Sequence, residues 1–117
     1  MTEKIVVFTT TGSNDQAQEI ATVLVEEKLA ACVSIIPSIL SIYLWKGKIC
    51  RDAENLLLIK TSSHLFERLR KKLRQIHQYE LPEIIALPVK AGDPDYLKWI
   101  EGSVLERSSV KKSSKKT

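Results

Sequence analysis

Residues 32–49 read CVSIIPSILSIYLWKGKI, and this stretch decides the fold. It is dense in β-branched and aromatic side chains, which favours an extended strand, and Pro37 inside it marks a bulge or edge irregularity. Side chains alternate across a pleat, so Leu40, Ile42 and Leu44 share one face while Ile39, Ser41, Tyr43 and Trp45 share the other. Both faces are largely apolar. In a chain of 117 residues helices can cover only one face of a sheet, so the second face must meet another subunit or remain a costly exposed patch, which favours an oligomer. Lys46-Gly47-Lys48 then supplies a hairpin turn, Gly47 accepting the positive φ that such turns demand.

Working outward, Ile5 to Phe8 is a continuous apolar run suited to a central strand, predicted over Lys4 to Thr10 and broken at Gly12. Ser13 and Gln16 form a capping-box start in which each side chain can serve the other's free backbone N–H. Ala17, Ile20, Ala21, Leu24, Val25 and Leu29 fall on one stripe of the helix that follows. A third strand is expected over Asn55 to Thr61. Leu65, Leu69, Leu73 and Ile76 mark a second amphipathic helix ending near His77. Leu81 before Pro82 is pushed from helical angles, which predicts a fourth strand from Pro82 to Val89. Asp93-Pro94 caps a short third helix that Gly102 stops.

The order β-α-β-β-α-β predicts an α+β, ferredoxin-like sandwich with an antiparallel sheet and an extra C-terminal helix, a fold that hosts many functions. One domain is expected over residues 1–106. Arg107, Lys111, Lys112, Lys115 and Lys116 carry +5 of a net +4, so residues 1–106 sum to −1 and residues 107–117 read as a disordered basic tail. A terminal Ser/Lys run without aromatics does not make a nucleic-acid arm, and the sheet lacks the aromatic pair of an RNA-recognition motif. No apolar stretch is long enough for a signal core or a membrane span. Two cysteines, Cys32 and Cys50, are too few for a disulfide scaffold, which points to reduced thiols in the cytoplasm.

Chemistry-bearing residues gather in His77-Gln78-Tyr79-Glu80-Leu81-Pro82-Glu83, at the junction of the second helix and fourth strand. His77 alone reads first as a capping or surface histidine, with a transition-metal ligand, when neutral, as its alternative. Cys32 reads as a buried thiol, with a soft metal ligand as its alternative. Lys60 suits an anionic or polar ligand beside Glu80 or Glu83, or a structural ion pair. No paired Cys-x-x-Cys, His-Glu-x-x-His, P-loop, nucleophile elbow or dinucleotide fingerprint is present, so no catalytic constellation is legible and a non-enzymatic role is expected.

Ala30-Ala31-Cys32-Val33, Ser41-Ile42-Tyr43 with Trp45 and Gly47, Ile59-Lys60-Thr61, His77 to Glu83, Leu87-Pro88 and Gly92 to Ile100 together resemble the CutA family of divalent-cation tolerance proteins, in order and spacing over residues 4–103. The resemblance implies a homotrimer of ferredoxin-like subunits whose long strands pair across neighbours. It also implies a response to divalent metal ions, copper(II) above all, through Cys32 and His77, with no organic cofactor. Bacterial members of the family place a further thiol and a further imidazole where this chain has Thr9 and Ile76, which leaves fewer soft donors here. The likeness to PII signalling trimers implies a second reading, a small polar effector held between subunits by Trp45, Lys60, Tyr79 and Glu83. A ligand-free interaction scaffold is the third.

Overall fold

The computed structural model describes residues 2–107. Strand β1 (Lys4–Thr11) leads into helix α1 (Asn14–Glu26), then β2 (Cys32–Trp45), β3 (Lys48–Ser62), helix α2 (Phe66–Ile76), β4 (Ile85–Pro88) and α3 (Pro94–Ser103). The four strands form one antiparallel sheet in the order β2-β3-β1-β4. This is the expected α+β order, with three helices.

The register shows what each face does. Val7 lies beside Ile59 and Thr9 beside Leu57, and all four are fully buried with Ile20 and Leu24 of α1 and Leu69 and Leu73 of α2. That face is the core. One residue along, the opposite face carries Val6, Phe8, Leu56 and Leu58, with Ile36, Ile85 and Leu87 at its edges 43–51% exposed. Lys4 on this face pairs with Glu101 and draws α3 to one end of it, while the rest stays open. Holding Glu101 beside the Lys4 ammonium lowers its carboxyl below the usual range.

Beyond the end of β1, β2 and β3 continue as a two-stranded arm from Ile39/Glu54 to the turn at Lys46-Gly47. Lys46 has φ 51° and Gly47 φ 81°, the paired left-handed conformations of a two-residue hairpin turn. The irregularity expected at Pro37 falls between Ile36 and Ile39, where the register slips and Ser38 adopts φ 59°. Arm residues Leu40, Ile42, Leu44 and Ile49 are 56–67% exposed.

Several expectations shift. Strand β3 begins at Lys48 rather than Asn55, because the polar run Arg51 to Glu54 is paired along the arm and only its far end is buried. Strand β4 is confined to Ile85–Pro88, since it pairs with only Ile5 to Phe8. Val25, placed on the buried stripe of the first helix, is 42% exposed at that helix's last turn. Ser13 caps α1 through the Gln16 N–H at 3.1 Å, but the Gln16 amide does not reach back and is buried without a partner. Thr9 is fully buried among core residues, and Ile76 packs against the same core. Arg107, assigned by charge to the tail, pairs with Glu3 at 3.1 Å; residues 108–117 of that tail lie outside the described residues.

Candidate functional site

Helix α2 ends at His77, whose extended backbone (φ −74°, ψ 140°) turns the chain back toward the end of β1. The imidazole is buried and committed on both sides. Its Nε2–H donates to the Thr10 carbonyl at 2.8 Å, and its Nδ1 accepts the Tyr79 N–H at 3.0 Å. A carbonyl can only accept and an amide N–H can only donate, so these partners define the neutral Nε2–H tautomer. Burial holds the pKa below its usual value, outweighing the opposing pull of the Thr10 carbonyl and Glu54.

Tyr79 is set against the His77 ring at 4.9 Å between centroids and against Gly12, where an added Cβ would stand 3.1 Å from the phenol oxygen. A glycine after β1 gives the ring room for this approach, and an added methyl there would make the phenol shift by a few tenths of an ångström. The Tyr79 hydroxyl donates to Glu54 Oε2 at 2.6 Å, and Glu54 is only 8% exposed. Burial first, then the Glu54 carboxylate, raise the Tyr79 phenol well above its ordinary range. On the arm, Tyr43 donates to Asp52 in the same sense, and that bond with its carboxylate pushes the Tyr43 phenol up to about 12.

These groups wall a cleft of about 590 Å³ between the base of the arm and the 77–83 loop. Thr10, Ser41, Tyr43, Trp45 and Glu54 line it from the sheet; Tyr79, Glu80, Leu81 and Glu83 line it from the loop. The Lys46 ammonium lies 5.8 Å from the centroid of the Trp45 ring.

The six residues singled out by sequence thus divide. Trp45, Tyr79 and Glu83 meet in the cleft. Lys60 does not reach it within one chain: it donates to Ser34 Oγ at 3.2 Å and lies 3.9 Å from the Cys32 thiol, across from Val6 in the sheet. His77 is anchored to Thr10, four residues further along β1, roughly 13 Å at strand rise. Cys32 and His77 of one chain are therefore not brought together, and neither imidazole nitrogen keeps a lone pair for a metal. Among the described residues no group of three or more His, Cys, Asp or Glu is placed to hold a metal ion. A divalent cation ligated by that pair within one chain does not fit this geometry.

Sequence reasoning passed over Glu54, Asp52 and Thr10, and gave Tyr43 a place on a strand face and in the family motif but no role in a site. The available signal was Glu54 as the last acid before the apolar run Leu56 to Ile59, but only the β2/β3 register and the return of the 77–83 loop put it beside Tyr79.

Fold and cleft define the class: a ferredoxin-like α+β domain with one open apolar sheet face and an acidic, aromatic-walled side cleft. The chain belongs to the CutA1 divalent ion tolerance protein family, whose pattern matches residues 5–103. It is 47% identical over 95 residues to the divalent-cation tolerance protein CutA of Thermus thermophilus, covering 81% of this chain and 92% of that one. It is 52% identical over 93 residues to the CutA protein of Mus musculus, covering 80% of this chain and 52% of that one. The chain thus spans about half the length of the mouse relative. The CutA1 structure from Oryza sativa superposes with a TM-score of 0.87 at 43% identity, over 90% of this chain and 96% of that one. Relatives named as chloroplastic and as periplasmic both occur. Among the described residues no helix is long and apolar enough to cross a membrane.

Proposed function

We propose that this chain is the subunit of a non-catalytic homotrimer that serves divalent-cation tolerance. The observation that carries the assembly is the apolar surface a single chain leaves uncovered. Leu40, Ile42, Leu44 and Ile49 of the arm are each more than half exposed, and the open sheet face adds a second apolar surface at Ile36, Ile85 and Leu87. Burying four such arm side chains is worth roughly 1.5–3 kcal/mol apiece, a gain that a lone copy in water forgoes. Arm and sheet face are different patches of one chain, so seating the arm of one copy on the face of the next is a heterologous contact, which gives a ring where the rotation between copies closes. The number three comes from the family resemblance.

The cation role rests on the family and on its divalent-cation tolerance relative from Thermus thermophilus. Because Cys32 and His77 lie apart within a chain, coordination falls to the Cys32 thiol with donors of adjacent copies, while His77 is structural. Both cysteines are free thiols, in keeping with a reducing, cytoplasmic setting. A second reading is favoured by the cleft: Trp45, Tyr79 and Glu83 converge there as the walls of a small-ligand site, with Lys60 supplied by a neighbour.

Native mass spectrometry of the full chain, beside Leu44→Glu, tests the assembly. A trimer that falls to monomer in the variant is the expected result; a monomeric parent overturns it. Copper(II) titration of the reduced assembly should saturate, weaken in Cys32→Ala and persist in His77→Ala. No saturable uptake, or uptake indifferent to Cys32, refutes the cation assignment.

A further inference from the structure

The fold sorts the charge of this chain. Helix α2 holds five cations and one acid, residues 108–117 hold four lysines and no acid, and the rest of the chain sums to −4 against a net +4 overall. Leu69 and Leu73 bury the inner side of α2, which leaves Arg68, Lys71 and Arg74 exposed in one row, about 4.5 Å apart along the axis. Arg70 is engaged by Glu67 and Lys72 by Glu27, whereas the three in the row make no ion pair among the described residues.

The C-terminal segment is anchored where this row begins. The Leu105 carbonyl bonds His64 Nε2 at 2.9 Å, and Arg107 pairs with Glu3, whose own carbonyl accepts the Ser63 N–H at 2.8 Å. Ser63 and His64 form the entry to α2. Lys111 follows Arg107 by four residues, a reach of up to about 14 Å, against about 16 Å for the whole helix. The Ser/Lys run makes no nucleic-acid arm by itself, but beside α2 it lengthens one basic stripe.

A partner for this stripe must be densely anionic and held without stacking, because neither the outer side of α2 nor residues 108–117 carries an aromatic side chain. Single strands are gripped largely by stacking, and protein partners by buried aromatic anchors. Leu69 and Leu73 are committed to the core, so α2 has no apolar side to sink into a bilayer. Duplex DNA carries one phosphate charge per about 1.7 Å of axis and rewards cations through counterion release, with no base contact needed.

We infer that α2 and the residues after Arg107 form a sequence-independent docking surface for the phosphate backbone of double-stranded DNA, with Arg68, Lys71 and Arg74 as its fixed contacts. The surface lies on the helix side of the sheet, away from the open sheet face, and does not depend on the proposed cation role.

The experiment is fluorescence anisotropy of a labelled duplex of about 24 base pairs, titrated with the full chain between about 50 and 200 mM salt. Two variants run beside it: Arg68→Gln with Lys71→Gln and Arg74→Gln, and glutamine at Lys111, Lys112, Lys115 and Lys116 together. Expected is affinity that falls about a hundredfold or more over that range, as counterion release from four or more phosphates requires. The α2 variant should flatten the slope of log affinity against log salt by about three, one for each lost contact. The lysine variant should flatten it by up to about four. AT-rich and GC-rich duplexes should bind alike. Arg68, Lys71 and Arg74 are exposed, so glutamine there leaves the fold intact, and a denaturation midpoint on each sample checks this. No binding at the lower salt, an unchanged slope in the α2 variant, or tighter binding to phosphatidylserine vesicles or polyglutamate would each overturn the inference. Native mass on the same samples reads the trimer separately.

Discussion

Replacing His77 by alanine tests whether this imidazole is a structural clamp or a ligand waiting for metal. The structure gives it two hydrogen bonds, to the Thr10 carbonyl at 2.8 Å and from the Tyr79 N–H at 3.0 Å, and a ring packed 4.9 Å from Tyr79. Each bond is worth about 1 kcal/mol net, and truncating a buried ring adds lost packing, so the metal-free protein should lose about 2–4 kcal/mol. The wild type should also carry a pH signature. Burial lowers the folded-state pKa of His77, so below the unfolded value near 6.5 the unfolded chain takes up a proton that the folded chain refuses. Stability therefore declines as pH falls from about 6.5 toward the lower folded pKa, with a slope from this one group no steeper than about 1.4 kcal/mol per pH unit. His77→Ala should be less stable at pH 8 and should lack that component of the decline. Guanidinium denaturation from pH 8 to 5, at fixed protein concentration because assembly is coupled to folding, measures both. A variant as stable as wild type at pH 8 without metal, with an unchanged pH profile, would refute the clamp.

Tyr79→Phe should remove the 2.6 Å bond to Glu54 and leave that carboxylate, 8% exposed, without its phenol, costing about 1–3 kcal/mol by denaturation. The same substitution should remove one raised phenol from an ultraviolet phenolate titration, since burial and Glu54 raise Tyr79. Leu69→Ala, at a fully buried position on the α2 stripe, should cost about 2–5 kcal/mol, whereas a loss under 1 kcal/mol would mean that α2 is not seated on the sheet as described.

How much of this was legible beforehand can be argued residue by residue. Period-two alternation in Leu40 to Trp45 and the three-and-four spacing of Ala17, Ile20 and Leu24 are local patterns, and they were enough to name the strands, the helices and their order. Gly47 and Pro37 marked the turn and the register slip because their backbone constraints hold in any fold. The His77 to Glu83 cluster was visible as a polar junction, and Tyr79 and Glu83 in it do line the cleft.

The sequence by itself therefore determined the element order, the two apolar faces of the second strand and the surplus of apolar surface, since each follows from short-range periodicity. Only the tertiary structure decided which side chains meet. Registers between strands distant in sequence put Glu54 beside Tyr79, hold Lys60 with Cys32 and Ser34 away from the cleft, and spend both nitrogens of His77 on Thr10 and Tyr79. Those pairings depend on hydrogen-bond geometry between segments brought together by folding. No spacing along the chain encodes them.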